Sequence, residues 1–383
     1  MTSDERTRAA LALHHQTPGK LSISGTVPLK TPHDLSLAYT PGVAAVSQAI
    51  ADNPAVAREY TIKRNTVAVV TDGSSVLGLG NIGPLAALPV MEGKAAIFKE
   101  FGGVDAFPIC LDTQDTEEII KAVKQLAPTF GGINLEDIAA PRCFEIEERL
   151  RKELSIPVMH DDQWGTATVV LAGLINALKL RGLDAKDARI VLSGVGAAGV
   201  AIGRILHDSG MHATIFCDSK GIIHAGRDDL TKEKKLLLDG SSLSPSEGTL
   251  ADALQGAHVF IGVSRPGVLT ADMVRSMAER PILFTLANPV PEIMPDEAKA
   301  AGAFIVATGR SDFPNQVNNS LVFPALFKAV LDADIRQFSQ DMFIAAAHAL
   351  AASVQQSSVE SIIPSMFDQA ARDAVYHSIV PKK

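Results

Sequence analysis

Arg189-Ile190-Val191-Leu192-Ser193 is an apolar, β-branched run that stops directly on Gly194-Val195-Gly196-Ala197-Ala198-Gly199. Helix-like periodicity then continues to Ser209. A strand, a G-x-G-x-x-G turn and a helix without a gap leave few folds open. The helix must lie back over the sheet and feed a parallel neighbour. The next apolar segment, 213–217, supplies that neighbour, and Asp218 closes it about twenty residues beyond the loop. The order has a mechanical meaning. Glycines let backbone N–H groups approach a pyrophosphate, the helix N-terminus presents partial positive charge, and the acid meets a ribose. Gly194, Val195, Gly196, Ala197, Ala198, Gly199 and Asp218 are therefore expected to bind a dinucleotide. An acid at 218 favours NAD, while Ser219-Lys220 offers contacts to the 2′-phosphate of NADP; the balance leans slightly to NAD.

The rest of the chain repeats the same alternation. Strands are expected at 67–71, 106–111, 133–135 and 157–159, then at 258–263, 281–287 and 304–307, with Pro108 marking an edge. Helices are expected over 5–14, 43–52, 116–126 (with Asp115 or Thr116 as N-cap) and 141–154. The segment 164–181 is nearly all apolar and reads as a buried helix joining two domains. Residues 226–248 read as a surface helix plus a loop, and the chain beyond 319 as helical with breaks near 355–358. The pattern predicts an α/β fold with mostly parallel sheets, and 383 residues suffice for two domains.

Composition removes several classes. A net charge of −8 argues against a nucleic-acid binder. Cys110, Cys143 and Cys217 are odd in number and far apart, so neither a zinc site nor a disulfide framework is expected. Met1-Thr2-Ser3-Asp4-Glu5-Arg6 has no apolar core of a signal peptide. The longest apolar stretch, 169–180, contains Asn176 and Lys179 and is too short to span a bilayer. A cytoplasmic protein without a membrane partner is expected.

Two acidic pairs, Glu136-Asp137 and Asp161-Asp162, follow the short strands at 133–135 and 157–159. Like charges gathered at strand ends oppose folding unless something positive sits among them. Hard carboxylate oxygens suit Mg²⁺ or Mn²⁺. Neighbours on a regular strand point to opposite faces, so Glu136 and Asp137 can share an ion only if the chain turns there. Ile138-Ala139-Ala140-Pro141 is consistent with that turn. Either pair alone reads as a solvated helix start. Beside a dinucleotide loop they point to oxidation of a metal-chelating substrate. A second glycine loop, Gly78-Leu79-Gly80-Asn81-Ile82-Gly83, is a weaker match, with a short helix expected from Pro84 to before Gly93. Its amides are expected to hold an anion, and Gly80→Val to raise KM for one ligand.

With these pieces placed, the chain resembles the malic enzymes, and in particular the short bacterial type. The matching stretches are Tyr39-Thr40-Pro41-Gly42-Val43-Ala44, residues 76–83, Met91-Glu92-Gly93-Lys94-Ala95, residues 132–138, His160-Asp161-Asp162-Gln163 with Gly165-Thr166-Ala167, Ala287-Asn288-Pro289, and Asn315-Gln316-Val317-Asn318-Asn319. The resemblance implies oxidative decarboxylation of (S)-malate to pyruvate and CO₂ with NAD⁺ or NADP⁺ and Mg²⁺ or Mn²⁺. It implies Glu136, Asp137 and Asp162 as metal ligands, Lys94 as general base and Tyr39 as general acid. It places Asn288 and Asn319 at the substrate, near the nicotinamide; the Gly78 and Gly80 amides are expected to hold the anion, a substrate carboxylate or the cofactor's phosphate region, from the loop itself. Asp161 is expected to orient Lys94 or Tyr39.

Lys94 must be neutral to accept a proton, so its pKa must fall from about 10.4. The implied division is an N-terminal domain, 1–160, a Rossmann-type domain, 161–318, and helices 319–383 that return to the first. A homodimer or higher homo-oligomer is implied, with the cleft open to residues from a partner. Two departures stand out. Ser74-Ser75-Val76 lacks the arginine of larger relatives, and Trp164 stands where close relatives usually carry histidine. A metal-dependent oxaloacetate decarboxylase with little dehydrogenase activity, or a non-catalytic dinucleotide module, remain the alternative readings.

Overall fold

The structure, a computed structural model, describes residues 3–76, 78–243 and 246–381. Met1-Thr2, Leu77 of the 76–83 stretch and Ser244-Pro245 of the 226–248 region lie outside the described residues. Val67-Ala68-Val69-Val70 has no polar alternation because both faces are covered, and every one of its side chains is buried. It forms β1 (Thr66–Thr71), which lies between β2 (Asp105–Cys110) and β3 (Gly132–Leu135), with β4 (Val158–His160) beyond β3. All pairings in this sheet are parallel. Pro108 sits on edge strand β2, where its missing N–H costs no ladder bond on the open side.

The second sheet runs β10 (Ile305–Thr308), β9 (Ile282–Thr285), β8 (Val259–Gly262), β5 (Ile190–Ser193), β6 (Thr214–Asp218), β7 (Gly221–Ile222). It is parallel except for β7, a two-residue antiparallel addition that the sequence pattern does not signal. The α/β class is as expected. In each sheet the strand order reverses once, at β1 with β3 and at β5 with β8. Such points open a crevice beyond the carboxyl ends of the strands.

Two helices differ from the sequence reading in ways that matter. The segment after the second glycine loop is one helix, Pro84–Gly102, rather than a short helix ending before Gly93. Ala87, Met91, Lys94, Ala95 and Phe98 are its buried residues, and tertiary burial of that face carries it through Pro89 and Gly93. The helix expected from 164 starts at Asp161 and runs to Arg181. Asp161 and Asp162 occupy its first turn, where the helix dipole favours negative charge.

The later helices close over this frame. Phe323 and Phe327 on the Phe323–Asp332 helix meet Phe98 with ring centroids 4.7 and 5.3 Å apart. The buried Asn176 amide donates to Ala351 O and Ile362 O, tying the Asp161–Arg181 helix to the chain's last segments. The break between the Gln340–Ser353 and Gln369–Ile379 helices is longer than the expected 355–358. In contrast, the N-terminal segment exposes Leu11, Leu13, Ile23, Leu29, Leu37 and Ile62. Among the described residues no helix is long and apolar enough to cross a membrane.

Burial pushes the Cys217 thiol up to about 12, with the Asp218 charge adding to it, and raises Cys143 as well. Cys110 is half-buried. Thiol labelling of native enzyme at mildly alkaline pH is therefore expected to modify Cys110 first, counted by intact mass. Equal labelling of all three would contradict this packing.

Candidate active site

β3 stops at Leu135, and Asp137 turns the chain with a left-handed φ of 54°. Ser75 N–H donates to Asp137 O at 2.9 Å, which pins the turn against the loop leaving β1. Asp137 N–H in turn donates to Asp162 Oδ2 at 2.8 Å. Glu136, Asp137 and Asp162 consequently offer carboxylate oxygens within 4.8 Å of one another. The arrangement sits at the carboxyl ends of β1, β3 and β4, at the point where strand order reverses.

Lys94 faces this cluster from the middle of the Pro84–Gly102 helix. Its Nζ lies 2.7 Å from Glu136 Oε1 and 2.5 Å from Asp161 Oδ2. Asn319 Nδ2 donates to the same Asp161 oxygen at 2.5 Å, and Asn134 Nδ2 to Glu136 Oε2 at 2.9 Å. The Phe323 ring centroid is 4.3 Å from Nζ. Asp161 is thus the bridge between Lys94 and Asn319.

The protein's own charges act against the neutral Lys94 that the chemistry needs. Burial alone would lower the Lys94 pKa, but Asp161, Glu136 and Asp162 more than reverse it, so the ammonium is held above the ordinary lysine range. Burial also raises Glu136 well above a normal carboxylate despite Lys94, with Asp162, Asp161 and Asp137 adding to the rise. Both shifts have one cause. A single lysine faces the carboxylates of Glu136, Asp137, Asp161 and Asp162, and negative charge is in surplus. Asp161 Oδ1 is buried with no hydrogen-bond partner. Three convergent hard oxygens with surplus negative charge fit a divalent cation of the Mg²⁺ or Mn²⁺ kind. Its charge would oppose the ammonium form of Lys94.

A cleft of about 810 Å³ runs from Lys94, Glu136, Asp137 and Asp162 to Gly196, Ala197, Ala198 and Gly199, passing Asn288 and Asn319. A Cβ on Gly199 would lie 1.9 Å from Gly194 O, and one on Gly194 would lie 2.6 Å from Val263 O. Glycine at both positions is a packing requirement. Gly194 and Val195 line a neighbouring cavity with Asp218, Lys220 and Arg265. Asp218 Oδ1 accepts from Lys220 N–H at 2.9 Å and Arg227 Nη1 at 2.9 Å. Its Oδ2 accepts from Arg227 Nη2 at 2.8 Å and Lys234 Nζ at 2.7 Å. Burial works against its charge, yet the bonds from Arg227 and Lys234 hold its pKa down to about 2. Its acceptor positions are already filled.

Comparison with known proteins bears on the family and the fold. Residues 18–151 match the family described as malic enzyme, N-terminal domain, and residues 164–376 that described as malic enzyme, NAD binding domain. The chain belongs to the malic enzyme family. It is 52% identical over 373 residues to the bifunctional malic/malolactic enzyme of Bacillus subtilis, covering 97% of this chain and 91% of that one. It is 52% identical to the NADP-dependent malic enzyme of Rhizobium meliloti over 89% of this chain and 45% of that longer protein. The crystal structure of an NAD-dependent malic enzyme from Thermotoga maritima superposes with a TM-score of 0.94 at 47% identity, over 97% of this chain and 99% of that one. The cofactor of this malic enzyme is a nicotinamide dinucleotide.

Not every residue expected at the malic enzyme site is brought together. Tyr39 ends the Pro32–Ala38 helix, is 66% exposed, and is not on the cleft wall. Gly78 lines the cleft but Gly80 does not. A Cβ on Gly78 would lie 2.1 Å from Asn288 O, whereas one on Gly80 meets nothing within 4 Å. Both glycines hold a left-handed φ, 76° and 77°, so Gly80→Ala carries the backbone strain alone; Gly78→Ala, which adds the clash with Asn288 O, is expected to raise KM for malate or dinucleotide the more of the two. The reverse outcome in steady-state kinetics would move the site. Asn315 serves the fold, donating to Val306 O and Val359 O, and Asn318 caps the turn at Ser320. His14 and Lys20 also line the cleft. Neither was legible, because only the fold brings the N-terminal segment against Pro89, whose carbonyl accepts from Lys20 Nζ at 2.6 Å.

Proposed function

We propose that the chain converts (S)-malate to pyruvate and CO₂ with a nicotinamide dinucleotide and Mg²⁺ or Mn²⁺ held by Glu136, Asp137 and Asp162. The observation that carries this is Lys94, buried between Glu136 and Asp161 beside three convergent carboxylates in a cleft that opens onto the Gly196–Gly199 turn. When bound, the cation would polarise the malate C2 oxygen and the nicotinamide would accept the electrons leaving C2.

The chain's own groups do the rest. Lys94 Nζ takes the C2 hydroxyl proton, oriented by Asp161, which Asn319 holds from its other side. Asn288 and Asn319 orient the malate carboxylates, with the Gly78 backbone and Lys20 on the same wall. Phe323 keeps an apolar face against Lys94 and limits water there. Tyr39 delivers the proton to C3. In this reading 1–160 and 319–383 form the body that carries Lys94 and two of the metal ligands, and 161–318 the dinucleotide body.

A homodimer or higher assembly accounts for Tyr39, which is too exposed to serve its own cleft. The apolar residues exposed on the same N-terminal segment support burial against a second copy. If the tyrosine comes from the partner, mixing inactive Lys94→Ala and Tyr39→Phe variants after subunit exchange regains turnover, because one mixed cleft is intact. No recovery in subunit-exchanged mixtures would return Tyr39 to its own chain.

The saturated Asp218 adds no free negative charge against a 2′-phosphate, and Lys220 and Arg265 line the same cavity. Use of both NAD⁺ and NADP⁺ follows. The deciding experiment is absorbance at the reduced-nicotinamide band with malate, Mn²⁺ and either dinucleotide. Growth of that band with pyruvate release is expected with both. Pyruvate from oxaloacetate alone would indicate only a decarboxylase, and dinucleotide binding without turnover a non-catalytic module.

A further inference from the structure

Glu292 is fully buried and lies behind the cleft wall, not on it. Strands β8 and β9 end at Gly262 and Thr285. The residues that follow them, Val263 and Ser264 after one and Leu286, Ala287 and Asn288 after the other, line the cleft. Leu286 N–H still donates to Gly262 O at 3.0 Å. Beyond that bond the Glu292 carboxylate takes the place of the next rung. Its Oε1 accepts from Ser264 N–H at 3.0 Å and from the Ser264 hydroxyl at 3.4 Å, and its Oε2 accepts from Ala287 N–H at 3.1 Å.

Room for this carboxylate is built into the sheet. A Cβ on Gly262 would lie 2.5 Å from Glu292 Cδ, so β8 ends on the one residue that lets the side chain pass. The three donors are neutral, and burial raises the Glu292 pKa against their pull. A carboxylate shut off from water is costly to bury. What it secures here is the spacing of two cleft loops. The turn from Ala287 to Glu292 is fixed on its other sides as well. Pro289 O accepts from Arg310 Nη1 at 3.0 Å. Asn288 O abuts Gly78 and the Asn288 amide abuts Gly309, where a Cβ would come within 2.1 and 2.8 Å.

We propose that Glu292 is a positioning residue for malate oxidation, which joins Ser264 N–H to Ala287 N–H and so sets where the Asn288 amide stands in the cleft. The proposal rests on the reading of Asn288 as a malate contact. Glu292 itself does not meet the substrate; it holds the residue immediately before the one that does.

A double-mutant cycle on full-length enzyme with Mn²⁺ and dinucleotide tests this. In Glu292→Gln one acceptor oxygen becomes an NH₂ that faces a backbone N–H and cannot accept from it. Misplacing an orienting group weighs on turnover, so kcat/KM for malate is expected to fall about tenfold or more. Mn²⁺ affinity, set by acids on the other sheet, is expected to stay at the wild-type level. Asn288→Ala is expected to lower kcat/KM by itself, and the double variant to fall no further. A less heat-stable Glu292→Gln enzyme with wild-type kcat and KM would reduce Glu292 to a folding role and overturn the proposal. Losses that multiply in the double variant would overturn it too, while leaving Asn288 at the substrate. Unchanged malate kinetics in Asn288→Ala would instead remove Asn288 from the site, and the proposal with it. If Glu292→Gln does not fold, Glu292→Asp, with both oxygens on an arm one carbon shorter, takes its place in the cycle.

Discussion

Lys94→Ala is expected to lower kcat by about 10²–10⁴-fold, the range for loss of a positioned general base, with dinucleotide affinity retained. The same change strikes stability, because Glu136 and Asp161 would keep their buried positions without the ammonium between them. Breaking a buried pair from one side costs about 3–5 kcal/mol, read as a lower unfolding temperature in metal-free buffer. Mn²⁺ should restore much of that loss by supplying positive charge to the same oxygens. The pH dependence has a definite sign. A raised lysine pKa means that the Lys94 contribution is fully present below the unfolded value of about 10.4 and is lost only as pH climbs through the folded value. Glu136 and Asp161, whose values are raised, take up protons on acidification and relieve the repulsion in the variant. The stability deficit of Lys94→Ala therefore grows from acid to neutral pH and levels off below about pH 10.4. Near-normal turnover, or a metal-free deficit that shrinks between acid and neutral pH, would refute the assignment.

Gly199→Ala and Gly196→Ala should separate packing from recognition in the dinucleotide turn. A Cβ on Gly199 would meet Gly194 O at 1.9 Å and Gly194 C at 2.9 Å, so the helix must move off the strand. Overpacking of this kind costs about 1–3 kcal/mol and should weaken dinucleotide binding at the same time. A Cβ on Gly196 meets nothing within 4 Å. That variant should unfold at the wild-type temperature, yet bind reduced dinucleotide at least about tenfold more weakly, because the methyl occupies the approach of the pyrophosphate. Titration by nicotinamide fluorescence beside thermal unfolding measures both quantities. Undiminished affinity in Gly196→Ala would detach this turn from the cofactor.

Much of the fold was legible because its signals are local. The unbroken apolar runs of β1 and β5 announce strands covered on both faces, and Pro108 marks an edge by chemistry it cannot avoid. The helix over 116–126 is announced by Asp115, whose side chain accepts from Glu118 N–H. Strand β7 is too short to carry a pattern. The Pro84–Gly102 helix is expected to stop before Gly93 because glycine is a breaker in isolation, and only the packed core overrules it.

The candidate site divides along the same line. The metal-type acids and the glycine turn follow strands and can be placed from sequence. The charge state of Lys94 depends on Asp161 and Glu136, which are remote along the chain and close only after folding. The arginine and lysine that occupy Asp218 come from the loop and the surface helix of 226–248, whose approach to Asp218 no periodicity gives. Tyr39 was found through resemblance alone, and a single chain leaves it outside the cleft.

Asp161 receives one donor from a residue made early and another made late in synthesis, Lys94 and Asn319. A nascent chain that has exposed its acids but not yet its final helices therefore lacks both the asparagine clamp and the Phe323 cover over the lysine. A product that stops before Asn319 would therefore have its acids and its lysine in place without the groups that hold and cover them, and would be inert and not partially active.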